Sequence, residues 1–434
     1  MNDTRTTEPE WAAFAAIDWA DQKHFWRLVP SDSQQAQSGE LENTPEAVDA
    51  WAAELAVRFG GRPIAVSLEQ SRGSLVYMLL RHAHLVLYPV HPATSARYRE
   101  TFYPSGAKSD PSDTALLLEL VMQHRDRLRR LQPDTVETRL LQLLVEQRRR
   151  MVNEKTRQSQ RLRACLKLYF PQILQWFKDV DAPLVCALLK RWPSLEELRR
   201  CHPGTLRNFF HEHNCRSEDL IDERIQAVYA AIAATKDRAV LEAEALTARQ
   251  LVALLEVLRA NIAELDGKIA DQYSRHAENF LYASLPGAGA ALEPRLLVAM
   301  GTDRDRYQTA AEVQSYSGIA PVTERSGRSN WVHYRFACPK FLRQSFHEFA
   351  SHSIGQSEWA RAYYDRQREA GKSHHAVVRS LAFKWIRIIF RCWKDRKPYD
   401  EQTYLRSLQR RASPLTGRKW ESVAGFQKLS ANPS

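Results

Sequence analysis

Two short apolar runs, each ending in a carboxylate, set the first limit on what this chain can fold into. Phe14-Ala15-Ala16-Ile17 leads into Asp18, and Ile64-Ala65-Val66-Ser67-Leu68 leads into Glu69. Such runs read as buried strands, and acids at their ends emerge at the edge of a sheet. A second pair, Asp110 and Asp113, lies three residues apart in Lys108-Ser109-Asp110-Pro111-Ser112-Asp113, ahead of a helical stretch from Thr114. Side chains at i and i+3 share a helix face. Four carboxylates converging in this way suit Mg²⁺, which takes hard oxygen ligands, and two-metal sites of that kind serve phosphodiester chemistry. Each acid taken singly has a plainer reading, as a strand terminus or a helix cap.

The surrounding pattern predicts strands over residues 12–18, 24–29, 64–69 and 85–90, with a helix over 75–82 between the last two. That is a βαβ unit inside an α/β domain spanning residues 11–120. Residues 1–10 read as disordered. From 121 to 282 the pattern is helical, with a long Arg-rich stretch over 139–168 that Pro171 ends and a less regular insertion at about 172–235. Leu251, Leu255, Leu258, Ile262, Leu265 and Ile269 are spaced as a short heptad seam. An antiparallel pairing with the 139–168 helix and self-association both account for it. A mainly α region over 283–405 and a turn-rich, flexible tail over 406–434 complete the chain.

Charge points to the partner. The 434 residues carry a net charge of +11, and residues 123–167 hold thirteen Lys or Arg against five acids. Such a surplus favours a polyanion, most often nucleic acid. No run resembles a membrane span or the core of a signal peptide, so a cytoplasmic location without membrane contact is expected. Six cysteines without paired spacing read as reduced thiols. Cys201, His202, His211, His213 and Cys215 match no common zinc spacing.

A second constellation follows Tyr316-Ser317-Gly318-Ile319-Ala320-Pro321. Ser326-Gly327 is ringed by Arg325, Arg328, Arg335, Lys340 and Arg343, with Trp331, His333 and Tyr334 nearby. A serine in a turn among cations could attack a phosphodiester while the cations stabilise developing charge; an ordinary turn is the alternative. Lys384, Arg387, Arg391 and Lys394 form one helical stripe opposite Ile386, Ile389, Phe390 and Trp393, a surface able to track phosphates. Arg148, Arg149 and Arg150 add a third cationic group on the long helix. Gly371-Lys372-Ser373 lacks the earlier glycine of a P-loop, since residue 366 is Arg. Pro286-Gly287-Ala288-Gly289 suits either a phosphate-binding helix start or a plain helix–turn–helix.

Together these segments resemble the bacterial insertion-sequence transposases with an N-terminal DEDD domain and a C-terminal serine domain, the bridge-RNA-guided recombinases. The resemblance rests on Ala16-Ile17-Asp18, Leu68-Glu69, Tyr88-Pro89-Val90-His91-Pro92 and Lys108 to Asp113, then on Leu285 to Gly289, Ser315 to Pro321, Ser326-Gly327 and Leu342-Arg343. It implies an RNase H-like (RuvC-like) first domain with Asp18, Glu69, Asp110 and Asp113 as Mg²⁺ ligands, and Ser326 as a nucleophile that links to DNA. It also implies a structured bridge RNA pairing with donor and target DNA, and dimers assembling into a tetramer with a composite active site. Cys338-Pro339-Lys340-Phe341 stands where the family commonly has Gly-Asn before Leu-Arg, and the insertion at about 172–235 matches no motif of the resemblance, so its contacts stay open. Two other functions use the same residues: a metal-dependent nuclease or junction resolvase without a covalent intermediate, and a non-catalytic nucleic-acid-binding scaffold.

Overall fold

The computed structural model describes residues 10–102, 109–327, 329–411 and 415. The disorder expected over 1–9, Lys108, Arg328 and nearly all of the tail beyond 411 fall outside the described residues. The chain forms two compact units, Met1–Pro133 and Asp134–Ser434.

The first unit is a five-stranded mixed sheet. β1 (Ala13–Asp18), β2 (Lys23–Pro30) and β3 (Gln37–Glu42) pair antiparallel, while β4 (Ile64–Leu68) and β5 (Leu85–Pro89) add in parallel to β1, giving the order β3-β2-β1-β4-β5. Strand alternation splits the core between two faces. Ala13, Ala15, Ile17, Val66, Leu68 and Leu87 pack against α1 (Pro45–Arg58) and α2 (Ser74–Leu79). Ala16, Ala65, Val86 and Tyr88 pack against α4 (Asp110–Gln123), which follows α3 (Pro92–Phe102). This mixed α/β arrangement is consistent with an RNase H-like fold. All four predicted strands are present. β3 and α1 were not anticipated, because β3 (Gln-Ser-Gly-Glu-Leu-Glu) is a mostly exposed edge strand that buries only Leu41. α4 continues past residue 120 to Gln123.

The second unit is helical apart from one hairpin. α5 (Val136–Tyr169) stops just before Pro171, whose ring cannot continue the ladder. Five short helices follow: α6 (Gln172–Trp176), α7 (Pro183–Arg191), α8 (Leu195–Arg199), α9 (Pro203–Glu212) and α10 (Glu218–Ala230). With the end of α5 they build a core around Tyr169, Phe170, Leu189, Phe210 and Ile221. The segment that looked irregular in sequence is therefore helical, broken by frequent turns between its helices. α11 (Arg238–Arg275) returns antiparallel along α5, with Arg148 paired to Asp266 and the Cys165 thiol donating to the Glu244 carbonyl at 3.3 Å. Leu251, Leu255 and Ile269 of the heptad seam are buried and Leu258, Ile262 and Leu265 half-buried, so the seam is met by packing within the chain.

The remaining elements are α12 (Asn279–Ala283), α13 (Gly289–Met300), α14 (Ala310–Tyr316), β6 (Val322–Ser326), β7 (Ser329–His333), α15 (Lys340–Ser353), α16 (Glu358–Glu369), α17 (His374–Asp395) and α18 (Glu401–Arg410). Three fully buried tryptophans centre their core, and each indole N–H finds an acceptor: Trp359 on Tyr399 Oη at 2.9 Å, Trp385 on Ser353 Oγ at 2.8 Å, Trp393 on the Gly301 carbonyl at 2.6 Å. A buried donor left unmade would cost about 1–3 kcal/mol. α18 runs past residue 405, capped by Asp400 and held by the Tyr404 ring on Trp359. Pro286-Gly287-Ala288-Gly289 is the turn between α12 and α13. Among the described residues, no helix is long and apolar enough to cross a membrane.

Candidate active-site residues in the two units

In the first unit, register decides where the acids go. Ile17 pairs with Leu68 in the parallel ladder, so Asp18 at the end of β1 and Glu69 just after β4 leave the same end of the sheet. α4 lies close over these strands because the side chains beneath it are small. Ala16 and Ala65 are fully buried there, and Ser67 Oγ donates to the Leu117 carbonyl at 2.7 Å. Ser109 caps α4 reciprocally with Ser112, which places Asp110 and Asp113 in the first turn. The exposed N–H groups and helix dipole favour negative charge at that position.

α3 contributes two residues that the motif pattern did not reveal. Ser95 Oγ donates to Glu69, and Arg99, one turn further on, is ion-paired with Asp113 at 2.5 Å. Asp113 is buried and Asp110 exposed. The carboxylates thus share one region, but among the described residues no three acidic, histidine or cysteine side chains are close enough to hold one ion together. In kind, the donors fit an oxygen-seeking divalent cation. The positive charge opposite Asp113 in this structure is the Arg99 guanidinium.

In the second unit, Ser326 ends β6 directly opposite Ser329 of β7. Gly327 takes φ +56° there, a conformation that fits a tight hairpin and disfavours other residues. Cross-strand partners point to the same face, so Ser326 and Ser329 share a side with Glu324 and Trp331, while Arg325 faces the other way. Ser326 is exposed. Ser317, the other serine of this region, is buried and donates to the Gln314 carbonyl at 3.3 Å. Glu324 and His333 form a pair at 2.8 Å, and the His333 ring stacks on Trp331 with centroids 4.4 Å apart.

The cations expected to surround Ser326 divide into two groups. Arg325 and Lys340 are exposed. Arg335 donates to the Ala320 carbonyl at 3.4 Å and Arg343 to the Arg335 carbonyl at 3.2 Å, so both tie down the hairpin's root. Gly318 serves the same root at φ +72°; a Cβ there would stand 2.8 Å from Cys338 Cβ. Gly318→Ala is therefore expected to cost about 2 kcal/mol from backbone strain and collision, read as a lower denaturation midpoint with faster proteolysis of the hairpin.

The other basic groups are only partly free. Arg148 pairs with Asp266, and Arg149 contacts Glu348 at 3.6 Å alongside the buried Arg295; Arg150 is exposed. On α17, Arg387 is exposed and Arg391 pairs with Asp395 at 2.5 Å. Lys394 donates to the Arg304 carbonyl at 2.7 Å. Lys384 is half-buried over the Tyr363 ring, and burial, followed by the charge of Arg387, lowers its pKa. In the cysteine–histidine cluster, His202 caps α9, the His213 ring lies tilted against Phe209 with centroids 4.3 Å apart, and His211 contacts Glu218 at 3.2 Å.

Comparison with known proteins covers both units. Residues 15–171 match the DEDD transposase model of IS110, described as "Transposase", and residues 281–365 match the model described as "Transposase IS116/IS110/IS902 family". The chain is 27% identical over 405 residues to the mini-circle putative transposase for IS117 of Streptomyces coelicolor, covering 91% of this chain and 97% of that protein. It is 24% identical over 410 residues to an uncharacterized 42 kDa protein of insertion element IS900 from Mycobacterium paratuberculosis, covering 91% and 98%. A pilin gene-inverting protein of Moraxella bovis is 29% identical over 129 residues, 29% of this chain and 39% of that protein. The two models fall on the units that carry the acids and the serine hairpin, and the chain belongs to the IS116/IS110/IS902 family of transposases, enzymes that recombine DNA.

Proposed function

We propose that this transposase excises and inserts its own insertion sequence by serine attack on DNA, guided by a structured RNA from the element. The observation that carries the reading is the exposed Ser326 hydroxyl at the tip of a protruding hairpin, with Arg325 and Lys340 also exposed nearby in sequence. In the proposed step the Oγ–P bond forms as a P–O bond to one deoxyribose breaks, and the departing oxygen takes a proton. The reverse attack by a deoxyribose hydroxyl rejoins DNA and restores the serine. Asp18, Glu69, Asp110 and Asp113 would hold Mg²⁺, which lends positive charge to the phosphate oxygens when bound. Arg148, Arg149, Arg150, Arg325, Arg328, Arg335, Lys340, Arg343, Lys384, Arg387 and Arg391 would supply nucleic-acid contacts. Those already engaged within the fold would act by holding its shape or by exchanging partners. The α5–α11 pair, with Leu254 and Val257 exposed on α11, offers a surface for dimers that assemble into tetramers.

The test is incubation of protein, Mg²⁺, element RNA and matched DNA, followed by denaturing capture of protein–DNA adducts. Cleavage without an adduct would favour a metal-dependent nuclease instead.

Arg99 supplies a separate check on the acids. Arg99→Gln leaves the buried Asp113 carboxylate unpaired, at a cost of about 3 kcal/mol. Without divalent ions the variant is expected to melt below wild type, and added Mg²⁺ should raise its Tm more than it raises that of wild type. Equal Mg²⁺ responses would count against Asp113 as a ligand.

A further inference from the structure

The root of the serine hairpin is clamped by cations that continue into a histidine cluster. Tyr334 directly follows β7. Its ring is covered by Arg343 of α15, with the guanidinium carbon 4.7 Å from the centroid, and by Arg379 of α17 at 4.3 Å. His347 lies four residues after Arg343, and His375 four residues before Arg379. Each therefore stands one helical turn from the clamp. The His347 and His375 rings are 6.0 Å apart, the His374 ring is 5.2 Å from His375, and Tyr364 Oη lies 2.8 Å from His374 Nδ1. Two facing helices thus present a ladder of cationic and titratable groups leading away from the hairpin.

Among the described residues, no carboxylate pairs with Arg343, His347, His374, His375 or Arg379. Neighbouring acids are engaged elsewhere: Glu348 by Arg295 of α13 at 2.5 Å and Arg149 of α5 at 3.6 Å, and Asp365 of α16 by Arg361 at 3.1 Å. The charged groups that act on His347 are His375, Arg379 and His374 of α17; Arg343 and the committed Glu348 are its charged neighbours in sequence on α15. Burial lowers the pKa of His347, and the α17 cations lower it further, against a raising hydrogen bond to the His375 backbone. An anion bound between the helices would relieve this mutual repulsion.

We propose that Arg343, His347, His374, His375 and Arg379 form a phosphate-binding surface for the DNA backbone flanking the phosphodiester that Ser326 attacks. His347, His374, His375 and Arg379 are new to the nucleic-acid contacts named above. The choice of DNA rests on the reading of the hairpin as the DNA-cleaving element, because the ladder begins at its root. A bound phosphate stabilises the imidazolium forms, so binding takes up protons. Affinity is then greatest at low pH and falls as pH rises. One linked proton changes affinity by up to about tenfold per pH unit.

The test measures, on full-length Ser326→Ala protein at fixed salt, the Kd for duplex DNA spanning the element's junction between pH 6 and 8. The parent is expected to bind at least about threefold tighter at the acid end. His347→Gln/His375→Gln is expected to bind with a clearly shallower pH dependence than the parent. Arg379→Gln should weaken binding at every pH and reduce the salt slope by about one phosphate contact. Because His374 and His375 are exposed, His374→Gln/His375→Gln keeps the fold intact, which an unchanged Tm verifies, and should show part of the same loss. Unchanged affinity and pH profile in these variants would overturn the proposal. A defect confined to the element's own transcript would overturn it as well, assigning the surface to RNA. Adduct formation is scored separately in wild type. Its absence alongside the expected binding losses would remove the serine reading while leaving the phosphate surface in place.

Discussion

Ser326→Ala is expected to abolish the covalent protein–DNA adduct while DNA binding stays near wild type. Removal of an enzyme nucleophile costs about 10⁴-fold or more, and no other group replaces a missing oxygen at the same position. Ser329 is the informative control, since the ladder sets it directly opposite Ser326 on the same hairpin face. Ser329→Ala should retain the adduct; loss there with retention in Ser326→Ala would exchange the two assignments. Ser317 is not a competitor, because its hydroxyl is buried and bonded to the Gln314 carbonyl. The measurement is a denaturing gel of labelled DNA after reaction. An adduct that persists in Ser326→Ala would end the serine mechanism, whatever the rate of cleavage.

Asp110→Asn should reduce strand cleavage by about 10³-fold, as expected when a carboxylate that would hold the positive charge acting on the reacting phosphate is lost. Asn keeps the size and capping ability of Asp, and Asp110 is exposed, so its effect on folding is confined to helix-dipole stabilisation of about 0.5 kcal/mol. RNA binding should therefore remain near normal. Asp113→Asn differs, because Asp113 is buried against Arg99. That substitution should lower both cleavage and Tm. If Asp110→Asn cleaves at the wild-type rate, the acids are not a catalytic set. The alternatives of water as nucleophile and of a passive nucleic-acid scaffold are then separated by whether wild type cleaves at all.

Asp18 and Glu69 were legible because a strand is a local object: five or six apolar residues ending in an acid identify both the strand and the position of the acid. The helix was expected from Thr114 and begins one turn earlier, at Asp110, because Ser109 caps it and Pro111 fits its first turn. Arg99 and Ser95 were not legible. α3 has low amphipathic contrast and buries only Ser95, so nothing in its own residues marks the side that meets Glu69 and Asp113. The apolar side of α17 was read correctly at Ile386, Ile389 and Trp393, which lie in the core, while Phe390 on that side and Lys384 on the basic stripe are half-buried. Its cations, however, have partners that periodicity does not disclose: Asp395 for Arg391 and the Arg304 carbonyl for Lys394.

By itself, then, the sequence determined the acids at the strand ends, the long helices and the serine turn, because each depends on contacts within a few residues. Tertiary structure alone decided that Arg149 faces Glu348 rather than solvent, that Arg99 neutralises Asp113, and that Arg343, His347, His375 and Arg379 form one ladder. Those pairings join residues up to 199 positions apart, from Arg149 to Glu348. The field at a side chain depends on distance through space, which no local spacing encodes.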